Sequence, residues 1–533
     1  MTPRRAAALF VLLAVVHTWP LSSAPWRQSL NYHADAELNA WIISWIAHIL
    51  PASPAHLFDA NIFSPERGTL AYSEPLLAPA LLVAPVRWLG GSPVLAFNLL
   101  TIFGLALTAW TAWFVAWRWT GSAGAALVAG SLAAFNVHVL TRLAHPAATQ
   151  AWALPLAWYF ADGLGDRAGL RAAAALALCV ALTAATSIYL LAFAGVIVLV
   201  VAVTGARRLP SLAWIAGASA AGLLPAAPVL WPYVRFAAEG NTRPIEVVAQ
   251  FSASPAGYLA TTGWLEAAVT HRFFTNDVNV FFAGVAALGL GAIGLATAGR
   301  ADPTSRRRLA AMILIAIVGV ALSFGPATSV YRGLYAWALP LRGLRAAARF
   351  GYLYLLAVAF LAAYGLAWLE RRMATLRWAA PAVVGAAMLF VGVEAWQGPV
   401  RTVPFTGVPA IYQVLAESSE PVELVELPFY PPEAVFENGE YVFNSTSHWR
   451  PLMNGYSGFT PDSYRRRAAA FWFFPESWAI DAIKREGATH VMVHLRKFTP
   501  DEAANIERVL ADRHDLQLVA ADPLGDRLYR VVR

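Results

Sequence analysis

Long apolar runs, separated by short clusters of charged residues, fill the first three quarters of the chain. About 20 apolar residues in a helix cross the ~30 Å hydrocarbon core of a bilayer. The runs that approach this length lie at 6–24, 93–116, 122–140, 147–162, 172–188, 189–205, 211–234, 279–299, 309–324, 350–369 and 378–397. They predict an α-helical polytopic membrane protein with about 11 transmembrane helices. A further run, 75–89, is short and broken by prolines, so we interpret it as re-entrant or interfacial.

Composition excludes the soluble classes. The chain has 533 residues, of which 58% are hydrophobic and 13% are charged, whereas soluble domains carry about 25% charge. So few charged residues cannot shield this much apolar surface from water. Lipid must cover the rest, and we therefore expect the bilayer itself to be a partner. The net charge of +7 comes from arginines clustered between apolar runs. This pattern is typical of membrane topology, and we expect no nucleic-acid partner.

The arginine clusters also predict orientation. Cytoplasmic turns of membrane proteins are enriched in basic residues. Eleven spans with a cytoplasmic N-terminus place these clusters inside: Arg4, Arg5, Arg118, Arg167, Arg171, Arg207, Arg208, Arg300, Arg306, Arg307, Arg308, Arg371, Arg372 and Arg377. We therefore predict a multi-pass protein of the inner (cytoplasmic) membrane whose C-terminus is extracytoplasmic.

Two domains follow from this topology. Residues 1–397 form the transmembrane domain, with a long extracytoplasmic first loop at 25–92 and further outside loops at about 235–278 and 325–349. Polar sequence begins at Gly398, and strand-like runs occur at 422–429, 490–495 and 528–532. We expect residues 398–533 to form a small extracytoplasmic α/β domain.

The first loop contains a predicted helix with a candidate catalytic acid at its start. From Leu38 the apolar residues recur with helical spacing, which predicts an amphipathic helix on the membrane surface with tryptophans at the interface. Asp35 has two interpretations: it caps this helix, or it is a general base beside a lipid-borne substrate. Glu37 either favours the first-turn dipole or shares the chemistry.

The same loop holds three more acidic residues, Asp59, Glu66 and Glu74. Each alone is typical of a solvated turn or a cap. Together with Asp35 they also fit a polar site. Their oxygens suit a divalent cation, although the spacing matches no known calcium loop. The sequence thus gives no certain cofactor, and the metal stays unknown.

Basic residues also occur on the predicted outer side, against the topology rule: Arg332, Arg342, Arg345 and Arg349. The last three are three and four residues apart, so on a helix they would share one face. A guanidinium fork matches phosphate oxygens, and we prefer a phosphate site here. The alternative is pairing with lipid headgroups or with the acids of the first loop.

Two further groups complete the candidates for substrate binding. Arg142, His145 and Gln150 lie in an outside turn, where they are turn residues or hydrogen-bonding partners for sugar or phosphate. The segment 443–464 is rich in aromatic and amide side chains, which suit a carbohydrate, a peptide or a packed turn. Its candidates are His448, Trp449, Asn454 and Tyr456.

Four segments carry a resemblance to a known group: "DAELNAWIISW" (35–45), "LFDANIFSPERGTLAYSEPLL" (57–77), "LSFGPATSVYRGLYAWALPLRGLRAAARFG" (322–351) and "STSHWRPLMNGYSGFTPDSY" (445–464). Through them the chain resembles a bacterial branch of membrane proteins and, more distantly, the GT-C superfamily of polytopic glycosyltransferases. Those enzymes use polyprenyl-phosphate-linked sugars.

The resemblance implies residue roles. GT-C enzymes carry their catalytic acid early in the first outside loop, which matches Asp35 with Glu37 beside it. They bind the lipid phosphate with basic residues near the outer surface, which matches Arg342, Arg345 and Arg349. The chain departs from the pattern because its first loop has no Asp-Asp or Asp-Glu pair. The implied reaction is transfer, with inversion, of a sugar from a polyprenyl-phosphate donor to an extracytoplasmic glycan, lipid or protein acceptor.

Two other functions stay open from the residues alone. A transporter or flippase for lipid or glycan would place charges or broken helices at mid-membrane. The predicted spans hold few charges, and the polar residues collect at one surface, which favours surface chemistry. A non-catalytic membrane scaffold would tolerate the loss of Asp35.

Overall fold

The structure is a computed structural model that describes residues 1–205, 209–276, 279–375 and 378–532. Arg207, Arg208 and Arg377 of the predicted cytoplasmic turns lie outside these ranges. The helices of the first half are α1 (Pro3–His17), α2 (Ala34–Ala52), α3 (Leu77–Trp88), α4 (Pro93–Thr120), α5 (Ala123–Ala134), α6 (Val137–Leu140), α7 (Pro146–Thr149), α8 (Ala153–Asp166), α9 (Leu170–Thr186), α10 (Ile188–Gly205), α11 (Leu209–Ala238) and α12 (Ile245–Gln250).

The helices that follow are α13 (Ala267–Thr270), α14 (Val285–Ala296), α15 (Pro303–Ser323), α16 (Ser329–Trp337), α17 (Gly351–Arg372), α18 (Ala379–Glu394), α19 (Gln413–Glu417), α20 (Gly439–Asn444), α21 (Asp462–Phe471), α22 (Ser477–Arg485) and α23 (Pro500–Ala511). The strands are β1 (Gln28–Ser29), β2 (Val403–Pro404), β3 (Leu424–Leu427), β4 (His490–His494), β5 (Leu516–Ala521) and β6 (Asp526–Val531).

Apolar helices dominate, as the sequence predicts for a multi-pass membrane protein. Each predicted apolar run contains an α-helix. Among the described residues, four helices are long and apolar enough to cross a membrane: Pro93–Thr120, Ile188–Gly205, Leu209–Ala238 and Ala347–Arg372. Several others are apolar but shorter, so the number of spans stays a prediction. The run 75–89 forms α3, which belongs to this shorter group.

The chain divides into two compact units, and the division differs from the expected one. The helical unit comprises Met1–Ser23 and Leu99–Arg401, and the mixed unit comprises Ala24–Asn98 and Thr402–Arg533. We expected the first loop to belong with the transmembrane residues 1–397. Instead it packs with the C-terminal residues, because its apolar helix α2 finds its partners there.

Small residues let helices of the helical unit approach closely. A Cβ atom on Gly365 of α17 would lie 1.9 Å from the carbonyl oxygen of Leu290 on α14. On Gly294 it would lie 2.5 Å from the carbonyl oxygen of Leu361. Any larger side chain at either position would force the two backbones apart. Such contacts between small residues drive helix association in lipid, where the hydrophobic effect is absent.

A buried ion-pair cluster joins the ends of α8 and α15. Arg307 Nη2 donates to Asp162 Oδ1 at 2.7 Å, and Arg308 Nε donates to Asp162 Oδ2 at 2.7 Å. Arg307 also contacts Asp166. The Asp162 and Arg307 side chains are only 5% and 8% exposed. These arginines, which we used as topology signals, therefore also hold two helices together.

The mixed unit is built on a four-stranded sheet with the order β3-β4-β6-β5. Strand β3 runs parallel to β4, whereas β6 is antiparallel to both β4 and β5. The strands β3, β4 and β6 overlap the strand-like runs expected from the sequence. A second, short pair joins Gln28 to Pro404 and thus ties the two chain segments of this unit together.

Helix α2 is buried on all sides, so the expected surface helix is wrong. Trp41 and Trp45 are 1% and 5% exposed. Their indole N–H groups donate to Asn61 Oδ1 and to the carbonyl oxygen of Leu57. The helical spacing from Leu38 was correct, but residues between the spaced positions are also apolar or small. Helices α3 and α20 cover these remaining faces.

A fully buried histidine links three strands of the sheet. His494 Nδ1 lies 2.9 Å from Asp526 Oδ1, and His494 Nε2 lies 2.8 Å from Glu426 Oε2. An ionised carboxylate only accepts, so two ionised partners require both ring nitrogens to donate. Burial alone would lower the pKa of His494, but the hydrogen bonds to Asp526 and Glu426 outweigh it and raise the pKa. Tyr412 donates to the same Glu426 oxygen at 2.5 Å.

We expect His494→Gln to destabilise the mixed unit by about 3–5 kcal/mol at pH 6, because two buried carboxylates lose their shared cation. The difference in the free energy of unfolding should shrink at alkaline pH, because a histidine whose pKa is raised by folding stabilises the fold only while it keeps its proton. Hydrogen exchange of β4 and β6 in the full chain measures this. The exposed His514→Gln is the control, and equal protection in all three proteins would contradict the prediction.

Candidate functional site

A pocket in the helical unit encloses about 360 Å³ of empty space, part of it open to solvent. Its lining is His138, Arg142, His145, Ala147, Ala148, Tyr189, Phe193, Arg349 and Tyr352. Three of these, Arg142, His145 and Arg349, are binding candidates from the sequence. They come from segments about 200 residues apart, so their convergence is a result of the fold.

Two very short helices position the first side of the pocket. Helix α5 ends at Ala134, earlier than the predicted span 122–140, and Asn136 then caps α6 by accepting the Val139 N–H at 3.1 Å. Pro146 begins α7, which stops at Thr149. This break in the helical path carries Arg142 and His145 to the pocket. Arg142 is buried, with 8% exposure, and donates to Thr141 Oγ1 at 3.2 Å.

Tyr189 holds Arg349 on the opposite side. The Arg349 guanidinium lies 4.5 Å from the centre of the Tyr189 ring, a cation–π contact. The backbone N–H of Ala346 donates to the Tyr189 hydroxyl at 2.8 Å. The ring is therefore fixed both to the segment that carries Arg349 and to its side chain. Sequence reasoning missed Tyr189, because "TSIY" read only as a short turn.

His138 is a second pocket residue that sequence reasoning missed. Its Nδ1 lies 3.2 Å from the carbonyl oxygen of Val280, and its ring stacks on Phe281 at 4.5 Å. A carbonyl oxygen only accepts, so Nδ1 is the donor in this contact. A histidine inside a predicted span was the signal available in the sequence.

The charge of the pocket suits an anion. Two guanidinium groups and the imidazole of His145 line it, while no carboxylate belongs to its lining in the described part of the chain. Arginine forks bind phosphate through two parallel hydrogen bonds. Phe193 and Tyr352 add an apolar wall. The pocket can therefore hold a phosphate whose remaining part is apolar.

The other outer arginines do not join this pocket, and the expected common helical face is wrong. Residues 339–343 and 347–350 form separate 3₁₀ turns joined by extended chain. Arg342 donates to the carbonyl oxygens of Tyr335 and Ala336 at the end of α16. Arg345 is exposed and lies over the ring of Phe251 at 4.6 Å.

Arg332 and Gln150 make local structural contacts. Arg332 Nη1 donates to the carbonyl oxygen of Pro326 at 2.7 Å. Gln150 is buried, and its Nε2 donates to the carbonyl oxygen of Leu100 at 2.8 Å. Gln150 thereby ties the end of α7 to α4, and neither residue lines the pocket.

In the mixed unit, Asp35 is not the helix cap. The cap is His33, whose Nδ1 accepts the Asp35 N–H at 3.2 Å. Asp35 lies in the first turn of α2, and its Oδ1 accepts the Tyr456 hydroxyl at 2.5 Å. Two sequence candidates, Asp35 and Tyr456, are thus brought together from positions more than 400 residues apart. The hydrogen bond fixes the position of the Asp35 carboxyl at the start of α2.

Glu37 differs from Asp35 in its environment. It is 9% exposed, and burial, with further contributions from Glu440 and Glu437 against that of Lys497, raises its pKa to about 8. At neutral pH it therefore holds a proton and can donate a hydrogen bond, but it cannot serve as an anionic base. Of the two candidate acids, only Asp35 is suited to that role.

The acids later in the first loop show local roles. Asp59 Oδ1 accepts the Gly68 N–H at 3.0 Å, and its Oδ2 lies 3.1 Å from His56 Nδ1. Asp59 therefore closes the turn between residues 59 and 68. Glu66 and Glu74 are half-buried. A divalent cation at these oxygens stays a prediction.

The remaining C-terminal candidates are mostly structural. Asn454 is fully buried and bonds the backbone of Glu426 in both directions, at 2.7 and 2.9 Å. His448 accepts the Arg450 N–H, and burial with the nearby Arg450 charge lowers its pKa to about 3. Trp449 has a φ of 55° and stacks on His48 at 4.7 Å. Its left-handed backbone holds this stack at the surface of the unit.

Comparisons with known proteins agree on the fold. No family model and no curated protein matches the chain. Among solved structures, the arabinofuranosyltransferase AftD from Mycobacteria matches with a TM-score of 0.59 at 16% identity over 100% of this chain. The chain spans only 40% of the length of AftD. At this identity the similarity shows that the two chains share a fold.

Two other matches lie below a TM-score of 0.5 and carry no argument. The oligosaccharyltransferase AglB from Archaeoglobus fulgidus has a TM-score of 0.48 at 13% identity, covering 100% of this chain and 74% of its own. ArnT from Cupriavidus metallidurans has a TM-score of 0.41 at 13% identity, and the match covers 98% of this chain and 97% of ArnT.

The raised pKa of Glu37 predicts a pH dependence. The folded state keeps a proton that the unfolded state releases near pH 4.5, so stability falls as pH rises from about 4.5 to about 8. Glu37→Gln cannot lose stability in this way, so we expect the variant to become more stable relative to the wild type as the pH rises across that window. Thermal unfolding of the full chain from pH 4 to 9 measures it. Parallel curves for the two proteins would show that folding leaves the pKa of Glu37 unchanged.

Proposed function

We propose that this chain is a membrane glycosyltransferase that moves a sugar from a polyprenyl-phosphate donor to an extracytoplasmic acceptor, with inversion. The main support is the pocket of the helical unit, where Arg142, His145 and Arg349 converge beside the apolar wall of Phe193 and Tyr352. The GT-C-like fold is consistent with this activity. The acceptor class, glycan, lipid or protein, stays open.

The proposal assigns one role to each unit. In the mixed unit, Asp35 removes the proton of the acceptor hydroxyl or amine as that atom attacks the anomeric carbon. In the helical unit, the pocket binds the phosphate of the donor. As the bond to the sugar breaks, negative charge grows on the leaving phosphate, and fixed guanidinium groups stabilise it. A single displacement of this kind inverts the anomeric carbon.

Localisation belongs to the same proposal. Apolar helices support a multi-pass membrane protein, and the arginine clusters favour a cytoplasmic N-terminus and an extracytoplasmic C-terminal region in an inner membrane. The acceptors would then be molecules that have already been exported across the inner membrane. Participation of a divalent cation is a separate question, which turnover with and without a chelator decides.

A transporter or flippase is not favoured. Transport proteins place charged residues near the middle of the membrane. Here the buried cluster of Asp162, Arg307 and Arg308 lies in the last turn of α8 and the first turns of α15, at helix ends. It joins helices and leaves their middle apolar.

We expect Arg349→Ala to weaken binding of undecaprenyl phosphate about 10–100-fold, because a charge-assisted pair contributes about 1.5–3 kcal/mol. The affinity of Arg349→Lys should lie between those of the wild type and Arg349→Ala, because lysine keeps the charge but lacks the guanidinium fork. Binding is measured on the full chain in nanodiscs. Arg332→Ala is the control, because Arg332 binds a backbone carbonyl.

Uncharged undecaprenol, which lacks the phosphate, distinguishes recognition of the phosphate from recognition of the lipid. Its binding should be the same in wild type and Arg349→Ala. If all four proteins bind the phosphate equally, the pocket is not the phosphate site.

We expect Asp35→Asn to lower sugar transfer by about 10²–10⁴-fold, the usual effect of a lost general base. The measurement is turnover of a panel of polyprenyl-phosphate sugars in membranes with matched protein levels. Asp59→Asn is the control from the same loop and should stay active. Unchanged turnover in Asp35→Asn would remove Asp35 from the chemistry, and no turnover by wild type on any donor would favour a scaffold.

A further inference from the structure

Three large aromatic side chains stand exposed on the mixed unit, where α21 connects to α22. Trp472, Phe473 and Trp478 are 51%, 51% and 49% exposed. The rings of Phe473 and Trp478 are neighbours, with centroids 5.2 Å apart. We call these three residues the aromatic tip. Contiguous exposed apolar surface of this kind usually marks a contact with a partner.

The segment that carries the tip is anchored, so the outward position of the rings is fixed by the fold. Phe471 and Phe474, in the same connection, are 1% and 7% exposed. Phe471 packs against Phe429 with centroids 5.1 Å apart. Two aromatic residues thus hold the connection in the core, and the remaining three have no room there.

A basic surface continues from the tip along α21. Arg465, Arg466 and Ala469 are exposed. Arg465 and Ala469 precede Trp472 by seven and three residues, and Arg466 and Ala469 precede Phe473 by seven and four, the spacings of neighbouring positions on one helical face. Arg467, on the other face, is buried and donates to Glu486 at 2.8 Å. Helix α21 therefore separates two outward arginines from two outward aromatic rings by about two turns, roughly 10 Å.

This arrangement matches the interface of a bilayer. Tryptophan and phenylalanine enter the boundary between headgroups and acyl chains, to a depth of roughly 5–10 Å. Arginines about 10 Å further out reach the lipid phosphates, and their charge complements anionic lipids. The C-terminal part of the mixed unit begins at Thr402, shortly after apolar helix α18 ends at Glu394, so the chain tethers this unit to the apolar helices.

We propose that the aromatic tip inserts into the membrane–water interface while Arg465 and Arg466 contact lipid phosphates. The mixed unit would then hold a bilayer surface through its own side chains in addition to its connection to the helical unit. The inference does not rest on glycosyl transfer and holds equally for a scaffold.

A spin label beside the tip tests the insertion. The chain has one cysteine, Cys179, which is buried. The variants Ser477→Cys, next to Trp478, and Ser419→Cys, elsewhere on the surface of the mixed unit, therefore accept a label selectively. The full chain is reconstituted in vesicles that contain phosphatidylglycerol, and collisions with oxygen and with a water-soluble nickel chelate are measured.

We expect the label at 477 to collide several-fold more with oxygen than with the chelate, and the label at 419 to show the reverse. Access of the chelate to 477 would place the tip in water. Shielding from both reagents would show that protein covers it. Either result overturns the proposal.

The arginines are tested by charge reversal in the 477-labelled protein. In Arg465→Glu/Arg466→Glu, chelate collisions at 477 should rise several-fold in phosphatidylglycerol vesicles and less in phosphatidylcholine vesicles. Both side chains are exposed and Phe471 and Phe474 are retained, so the fold should persist. Equal collision rates in both lipids, with and without the reversal, would exclude phosphate contacts.

Discussion

Lipid offers no hydrogen bonds, and this constraint shapes the helical unit. Every backbone N–H and C=O within the hydrocarbon core must find its partner inside the protein, which leaves helices as the economical solution. Charged groups are confined to places where they can be paired, as Asp162 and Arg307 are at the ends of α8 and α15. Departures from helix are tolerated only where other groups satisfy the backbone. The break between α5 and α8 is such a departure, where Asn136 accepts the Val139 N–H and the Thr108 hydroxyl donates to the carbonyl oxygen of Thr149.

The positions of the long helices could be predicted because hydropathy is a local property of sequence. The convergence of Arg142, His145 and Arg349 could not, since it depends on how α6, α7 and the turn before α17 pack. The same limit explains the error about Arg342 and Arg345. Helical spacing suggested one face, but Gly343 and the extended residues that follow break the helix into separate turns. Helix α2 shows the complementary case: its period was visible in sequence, but one of the helices that cover it, α20, lies 400 residues away.

Burial divides the carboxyl groups of the mixed unit into different chemical species. Asp35 accepts a hydrogen bond from Tyr456 in a half-buried position, while Glu37, two residues later, is enclosed and protonated at neutral pH. The hydrogen bonds of His494 to Asp526 and Glu426 raise its pKa despite its burial. Sequence spacing treats Asp35 and Glu37 as a pair, and only the surroundings distinguish the two carboxyl groups.

The interleaving of the mixed unit sets the order in which the chain can mature. Its first segment ends at Asn98 and its second begins at Thr402, so roughly 300 residues are synthesised between them. At about 5–20 residues per second, α2 waits for roughly 15–60 s before α20 and the sheet exist to cover it. During that interval α2 has its contacts with α3 and the first loop but lacks those with α20. Biogenesis of this chain therefore depends on whatever shelters a nascent apolar helix, a membrane surface or a chaperone, until the ribosome reaches the C-terminus.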